Sequence, residues 1–251
     1  MIPLFIYAAL PPNFDIEDEE QRREFVLNRK RYSAMVENLD ANVGRMTSFL
    51  QEEGLADDTV VIFLADHGEL GGSHGLRGKQ WPYEESMGVP LIVRDPRVPA
   101  QAGTTIDDPV ATEDLFPTFL GLAGLTPQNA LMGADLTPLL HGEIEGLERE
   151  GVLGEFVAEL RQGVVFYDAV WRSFRTQRYK YVVRGDNTGG TPWMFFDLEN
   201  DPHEMENLVA EESYRDEMAR HHQLLRQRML ETEDHFVLLP AWGCAGLNTW
   251  E

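Results

Sequence analysis

The chain has 251 residues, with 21 Lys and Arg against 43 Asp and Glu, a formal charge of −22 and 43% hydrophobic residues. Length and hydrophobic content support one large domain, or one domain with a smaller companion, and exclude collagen-like, disordered and membrane-spanning classes. The acidic excess argues against a nucleic-acid partner, because a phosphate backbone is bound through a basic face with release of counterions.

Among the basic residues only Lys30, Lys79 and Lys180 are lysines, and the rest are arginines. With the acid excess this points to a salt-adapted or compositionally skewed source, although charge speaks to solubility rather than to fold. Cys244 is the one cysteine, so there is no internal disulfide framework. Met1 to Leu10 is apolar, lacks a basic leading region and runs into Pro11-Pro12. It therefore reads as a buried strand rather than a signal peptide or a membrane span. A core strand with no lead-in points to a chain cut at its front. The localisation that follows is cytoplasmic if Met1 is the true start, and export if a part precedes it.

From about Asp18 to Glu53, Phe25, Tyr32, Met35, Val36, Leu39, Val43, Met46, Phe49 and Leu50 recur at three- and four-residue steps, the period of an amphipathic helix. Gly54 ends it. Thr59 to Ala65 is a β-branched apolar run that reads as a central parallel strand, and Val89 to Val93 as a second short strand. Thr112, followed by Glu113 and Asp114, looks like the cap of a helix carrying Leu115, Phe116, Phe119, Leu120 and Leu122. This order predicts an α/β core with helices on a mostly parallel sheet. Aromatic and β-branched runs between Val164 and Leu198 predict an antiparallel meander, and a charged helix follows from about Glu211 to Glu231. The boundary falls near Gly142 to Gly151.

The segment Asp66 to Lys79 carries the chemistry. It follows the carboxyl end of the predicted central strand, where open α/β sheets place their ligands. Asp66 offers a hard anionic oxygen and His67 an imidazole nitrogen, a pair able to bind a divalent cation. Oxygen-rich partners favour calcium or magnesium, and more nitrogen favours zinc or manganese. Lys79 brings a positive charge suited to an anionic substrate. His74 sits in the glycine-rich turn between them.

The order Asp66-His67-Gly68-Glu69, Gly72-Ser73-His74-Gly75, Gly78-Lys79, Tyr83-Glu84-Glu85-Ser86 and Val89-Pro90-Leu91-Ile92 resembles the sulfatase family of the alkaline-phosphatase superfamily. The likeness continues through Asp114 to Thr118, Gly133 to Leu136, Leu139 to Gly142, Arg175 to Tyr181 and Phe196 to Leu208, and it matches the family's carboxyl-terminal half. The resemblance implies an α/β/α sandwich with a mostly parallel sheet, incomplete here, plus a small antiparallel sheet with a helix. Residues 1–145 would be the carboxyl-terminal part of the catalytic core and residues 146–251 the antiparallel subdomain with its terminal helix. It also implies that Asp66 and His67 are metal ligands, usually for calcium, and that Lys79 contacts the sulfate; His74 is the next candidate, as a supporting residue of the site. The partner class implied is an anionic small-molecule or glycan sulfate ester; the oligomeric state stays open.

The family's nucleophile is a formylglycine made within a Cys/Ser-x-Pro-Ser/Ala-Arg motif, and this sequence contains no such motif. Cys244, followed by Ala245-Gly246-Leu247, is read as a buried or incidental thiol. Where the family carries a Pro-His pair, this chain has Leu10-Pro11-Pro12-Asn13. The expectation is a sulfuric ester hydrolase by resemblance, inactive as this chain alone. Alternatives are a phosphodiesterase, phosphonate hydrolase or phosphoethanolamine transferase of the same superfamily, a non-catalytic partner-binding pseudo-enzyme, and a serine hydrolase built on Gly71-Gly72-Ser73-His74-Gly75. His221, His222 and His235 are read as solvated, and Phe236 to Leu239, Trp242 and Trp250 as packing the tail back onto the body.

Overall fold

The computed structural model describes residues 10–157, 170–186 and 188–248. The leading strand, apart from Leu10, lies outside them, as does Trp250. The chain divides into two compact units, 1–102 and 103–251.

In the first unit, α1 (Glu19–Glu52) starts where the Asp18 carboxylate accepts from the Gln21 N–H at 2.7 Å, with Glu19 and Glu20 in the first turn. It stops at Gly54, whose φ of +69° suits glycine. The predicted apolar stripe is real in spacing, but only its amino-terminal end is buried: Phe25 packs with Phe14 and Ile16, whereas Met35, Met46 and Phe49 are exposed. β1 (Val61–Leu64) and β2 (Leu91–Arg94) form a two-stranded sheet, with the turn α2 (Glu84–Met87) between them in sequence. The two strands pair antiparallel, Val61 opposite Arg94 and Leu64 opposite Leu91. The parallel pairing expected of β1 has no counterpart among the described residues. An apolar β-branched run marks a buried strand equally well in either direction, and direction is set by how the chain returns. β2 begins only after Pro90, which has no N–H to donate.

The second unit begins with α3 (Leu115–Leu122) and α4 (Thr137–Leu140). Asp114, not Thr112, organises the start of α3: its carboxylate accepts from the N–H groups of Ala111 at 2.7 Å and Ala134 at 2.8 Å and pairs with Arg149. The Arg149 guanidinium and the two backbone donors hold the Asp114 carboxyl below the usual carboxylate range against the opposing effect of its burial. Four strands follow, β3 (Gly151–Phe156), β4 (Val170–Thr176), β5 (Tyr179–Asp186) and β6 (Gly189–Asp197), as an antiparallel meander in that order. α5 (Arg215–Glu231) packs on it, burying Met218, Leu225 and Met229 against Phe174, Tyr181 and Phe195. The tail returns as expected, with Phe236 and Leu238 in this core.

Residues 103–145, grouped with the first domain in the sequence pattern, join the meander's unit here. Arg228 of α5 donates to the Glu113 carboxylate at 2.6 Å and to the Met132 carbonyl at 3.2 Å, and the Leu147 N–H donates to Asp108 at 2.8 Å. These contacts tie the segment to α5 and to the approach to β3. His221 and His222 are fully buried rather than solvated. His221 Nε2 meets the Thr176 hydroxyl at 3.2 Å, and the Tyr181 hydroxyl meets His222 Nδ1 at 3.1 Å. Among the described residues no helix is long and apolar enough to cross a membrane.

Candidate active site

Asp66 and His67 follow the carboxyl end of β1 after the single residue Ala65 and enter a loop closed on itself. The Gly68 N–H donates to the Ser86 carbonyl at 2.8 Å, and the Leu70 N–H donates to the Gly78 carbonyl at 3.0 Å. Glu69 stiffens the turn from outside, its carboxylate accepting from the N–H groups of Gly78 at 2.9 Å and Gly71 at 3.3 Å. Gly71, Gly72, Gly75 and Gly78 all have φ between +54° and +103°, and a β-carbon on Gly72 would run into the Phe14 ring, so the glycine run is a steric requirement of the loop.

The closure brings three of the four expected residues together. His67 Nδ1 donates to its neighbour's carbonyl, Gly68 O, at 2.8 Å. That leaves the Nε2 lone pair facing outward, the arrangement in which an imidazole serves as a ligand. The Asp66 carboxylate lies 3.4 Å from that nitrogen, and the Lys79 ammonium donates to it. The Asp66 side chain is 86% exposed and His67 38%, so the group opens to solvent and can receive a ligand. One carboxylate oxygen and one imidazole nitrogen converging on a single point fit two positions of a divalent cation's shell, and the ammonium beside them fits an anion that such a cation would also bind.

His74 is engaged elsewhere. With φ at +54°, it stacks on Tyr83 at 3.8 Å between centroids, and its Nε2 is 3.0 Å from the Asn13 amide and 3.9 Å from Glu85. Asn13 is buried and also donates to Glu85 at 2.6 Å. The sequence named Asn13 only for the histidine it lacks and did not foresee this Asn13, His74 and Glu85 cluster, since 61 residues separate Asn13 from His74. Ser73 is fully buried in a turn with no strand leading into it and no helix leaving it, so the serine-elbow alternative lacks its scaffold.

Residues 72–232 match the family described as N-sulphoglucosamine sulphohydrolase, C-terminal, and residues 6–125 match the family described as Sulfatase. The chain belongs to the sulfatase family. The Ulvan-active sulfatase of Formosa agariphila is 29% identical over 229 residues, covering 90% of this chain and 43% of that protein. A solved structure in complex with its substrate D-glucosamine-2-N,6-O-disulfate superposes with a TM-score of 0.73 at 26% identity, over 88% of this chain and 44% of that one. The phosphonate monoester hydrolase of Agrobacterium radiobacter superposes with a TM-score of 0.71 at 29% identity, over 89% and 46%. This sulfatase chain thus has the alkaline-phosphatase-type α/β fold with a small antiparallel sheet, and it spans less than half the length of these relatives. Sulfatases are hydrolases, and the Asp66 to Ser86 loop lies within the Sulfatase match, with its part from Gly72 onward also inside the carboxyl-terminal match.

Proposed function

We propose that this chain carries the part of a metal-dependent sulfuric ester hydrolase that holds the cation and the anionic group. The observation that carries this is the convergence of Asp66, His67 and the Lys79 ammonium at the end of β1. Asp66 and His67 would hold the divalent cation, calcium in this reading. When bound, the cation neutralises charge on the transferring group and polarises its oxygens. Lys79 supplies a second positive charge, a point donor able to follow a sulfate oxygen. In a chain of charge −22, these two cationic groups reverse the local field for an anionic substrate. His74, backed by Asn13 and Glu85, supports the loop from its other side. The substrate class is a sulfate ester of a small molecule or glycan. Relatives named for ulvan and for a glucosamine disulfate support that class.

Without a Cys/Ser-x-Pro-Ser/Ala-Arg motif, the 251-residue chain alone is proposed to bind calcium weakly and to turn over no ester. Calorimetric titration with calcium should give weak binding in the wild-type chain and none in Asp66→Ala or His67→Ala. Equal binding in all three would remove the metal assignment. Hydrolysis of an aryl sulfate by the pure chain would overturn the inactivity. A second reading, phosphonate or phosphodiester hydrolysis, is favoured by the match to the phosphonate monoester hydrolase, because the tetrahedral anions are alike. Relative binding of sulfate, phosphonate and phosphodiester anions to the calcium-loaded chain would separate the two.

A further inference from the structure

We propose that Ser86 is a positioning residue that sets Lys79 against His67. Lys79 comes from a segment twelve residues beyond His67, and its own side chain is exposed. An exposed lysine stem has four rotatable bonds and no packing to hold it, so its root must be fixed by the backbone. Ser86 does this from the buried side of the loop. Its side chain is buried, its hydroxyl donates to the Lys79 carbonyl, and its own carbonyl accepts from the Gly68 N–H at 2.8 Å. One residue therefore grips both ends of the loop, one residue past His67 and at Lys79 itself.

Two further features make the grip specific. Ser86 sits in the single turn α2, where its N–H and that of Met87 donate to the Tyr83 carbonyl at 2.9 Å and 3.0 Å, so its hydroxyl is presented from a fixed backbone. Gly68 approaches so closely that a β-carbon there would run into the Glu85 carbonyl and press on the Ser86 α-carbon. The loop and α2 are thus in direct main-chain contact at one end and joined by the hydroxyl at the other. Ser86 acts through Lys79 and does not itself meet substrate or cation.

The inference rests on the reading of Asp66, His67 and Lys79 as one site, but its test needs neither metal nor substrate. The ring-nitrogen chemical shift of His67 is measured by NMR at one fixed pH, without added metal, in wild type, Lys79→Gln, Ser86→Ala and the double variant, with His67→Gln to assign the resonance. Lys79→Gln should move the His67 Nε2 signal in the wild-type background. Ser86→Ala should move it in the same direction, and in that background Lys79→Gln should add less than half its original effect. Ser86→Thr, which keeps the hydroxyl, should restore the wild-type response. Ser86→Cys keeps the volume but donates weakly, and should behave like Ala if the Ala variant proves unfolded. An undiminished Lys79 effect in Ser86→Ala or Ser86→Cys overturns the proposal, as does an equal loss in the Thr variant. A separate calcium titration of the wild-type chain, read at Asp66, tests the metal assignment independently.

Discussion

Lys79 and Lys180 are the same residue in opposite surroundings. Lys79 leaves a glycine-rich loop, stands exposed and meets His67 at an open rim. Lys180 lies in β5 with no exposure at all, paired with an equally buried Glu204 and 6.0 Å from the Phe196 ring centroid. A charge taken out of water must be answered by a fixed opposite charge, so Lys180 is committed to the architecture. A charge left at a rim keeps its hydration and can exchange it for a ligand's oxygens. The same contrast separates the exposed Asp66 and half-buried His67 from the fully buried His221 and His222.

That contrast can be broken from its strong end first. Lys180→Met removes the ammonium from beside the buried Glu204 carboxylate and should cost about 3–5 kcal/mol in urea unfolding. Acid should act next. Burial pushes His221 down to about 4, against an ordinary 6.5, with Glu217's carbonyl partly opposing the shift. Between pH 6.5 and about 4 the unfolded chain binds a proton that the folded chain refuses, so stability falls as pH drops through that window, by up to about 3 kcal/mol. His221→Gln should flatten that part of the stability profile, and an unchanged slope would place the acid sensitivity elsewhere. Tyr181→Phe removes the hydroxyl that lies 3.1 Å from His222 Nδ1 and accepts from Trp242 at 3.1 Å, at a cost of about 2 kcal/mol in the same assay. Lys79→Ala should shift the melting temperature by less than about 2 °C while abolishing sulfate binding to the calcium-loaded chain. A large drop in melting temperature for that variant would erase the distinction between the two lysines.

Much of the site was legible because adjacency does part of the work. Asp66 and His67 are neighbours after a strand, so any turn there presents both. Lys79 could be joined to them only through the motif, since no periodicity links positions thirteen apart. Ser86 and Asn13 carried no legible role, because a hydroxyl donating to a backbone carbonyl leaves no trace in composition or spacing. His221 and His222 were misread for a related reason. Polarity marks a helix face as solvated unless a partner is known, and here Thr176 in β4 and Tyr181 in β5 supply partners from across the unit. β3 passed unnoticed because Gly151, Gly154 and Glu155 dilute its strand pattern.

The sequence by itself determined the long helix, the meander, the terminal helix, the placing of Asp66 and His67 side by side after a strand, and the family. These follow from side-chain period, adjacent donors and motif order, all of which are local or additive along the chain. Only the tertiary structure decided that β1 and β2 run antiparallel, that residues 103–145 belong with the meander, that His74 faces Asn13 and Glu85, and that Ser86 spans the loop. Each of these depends on which distant groups satisfy one another's hydrogen bonds and charges once water is excluded, and a linear pattern does not encode that pairing.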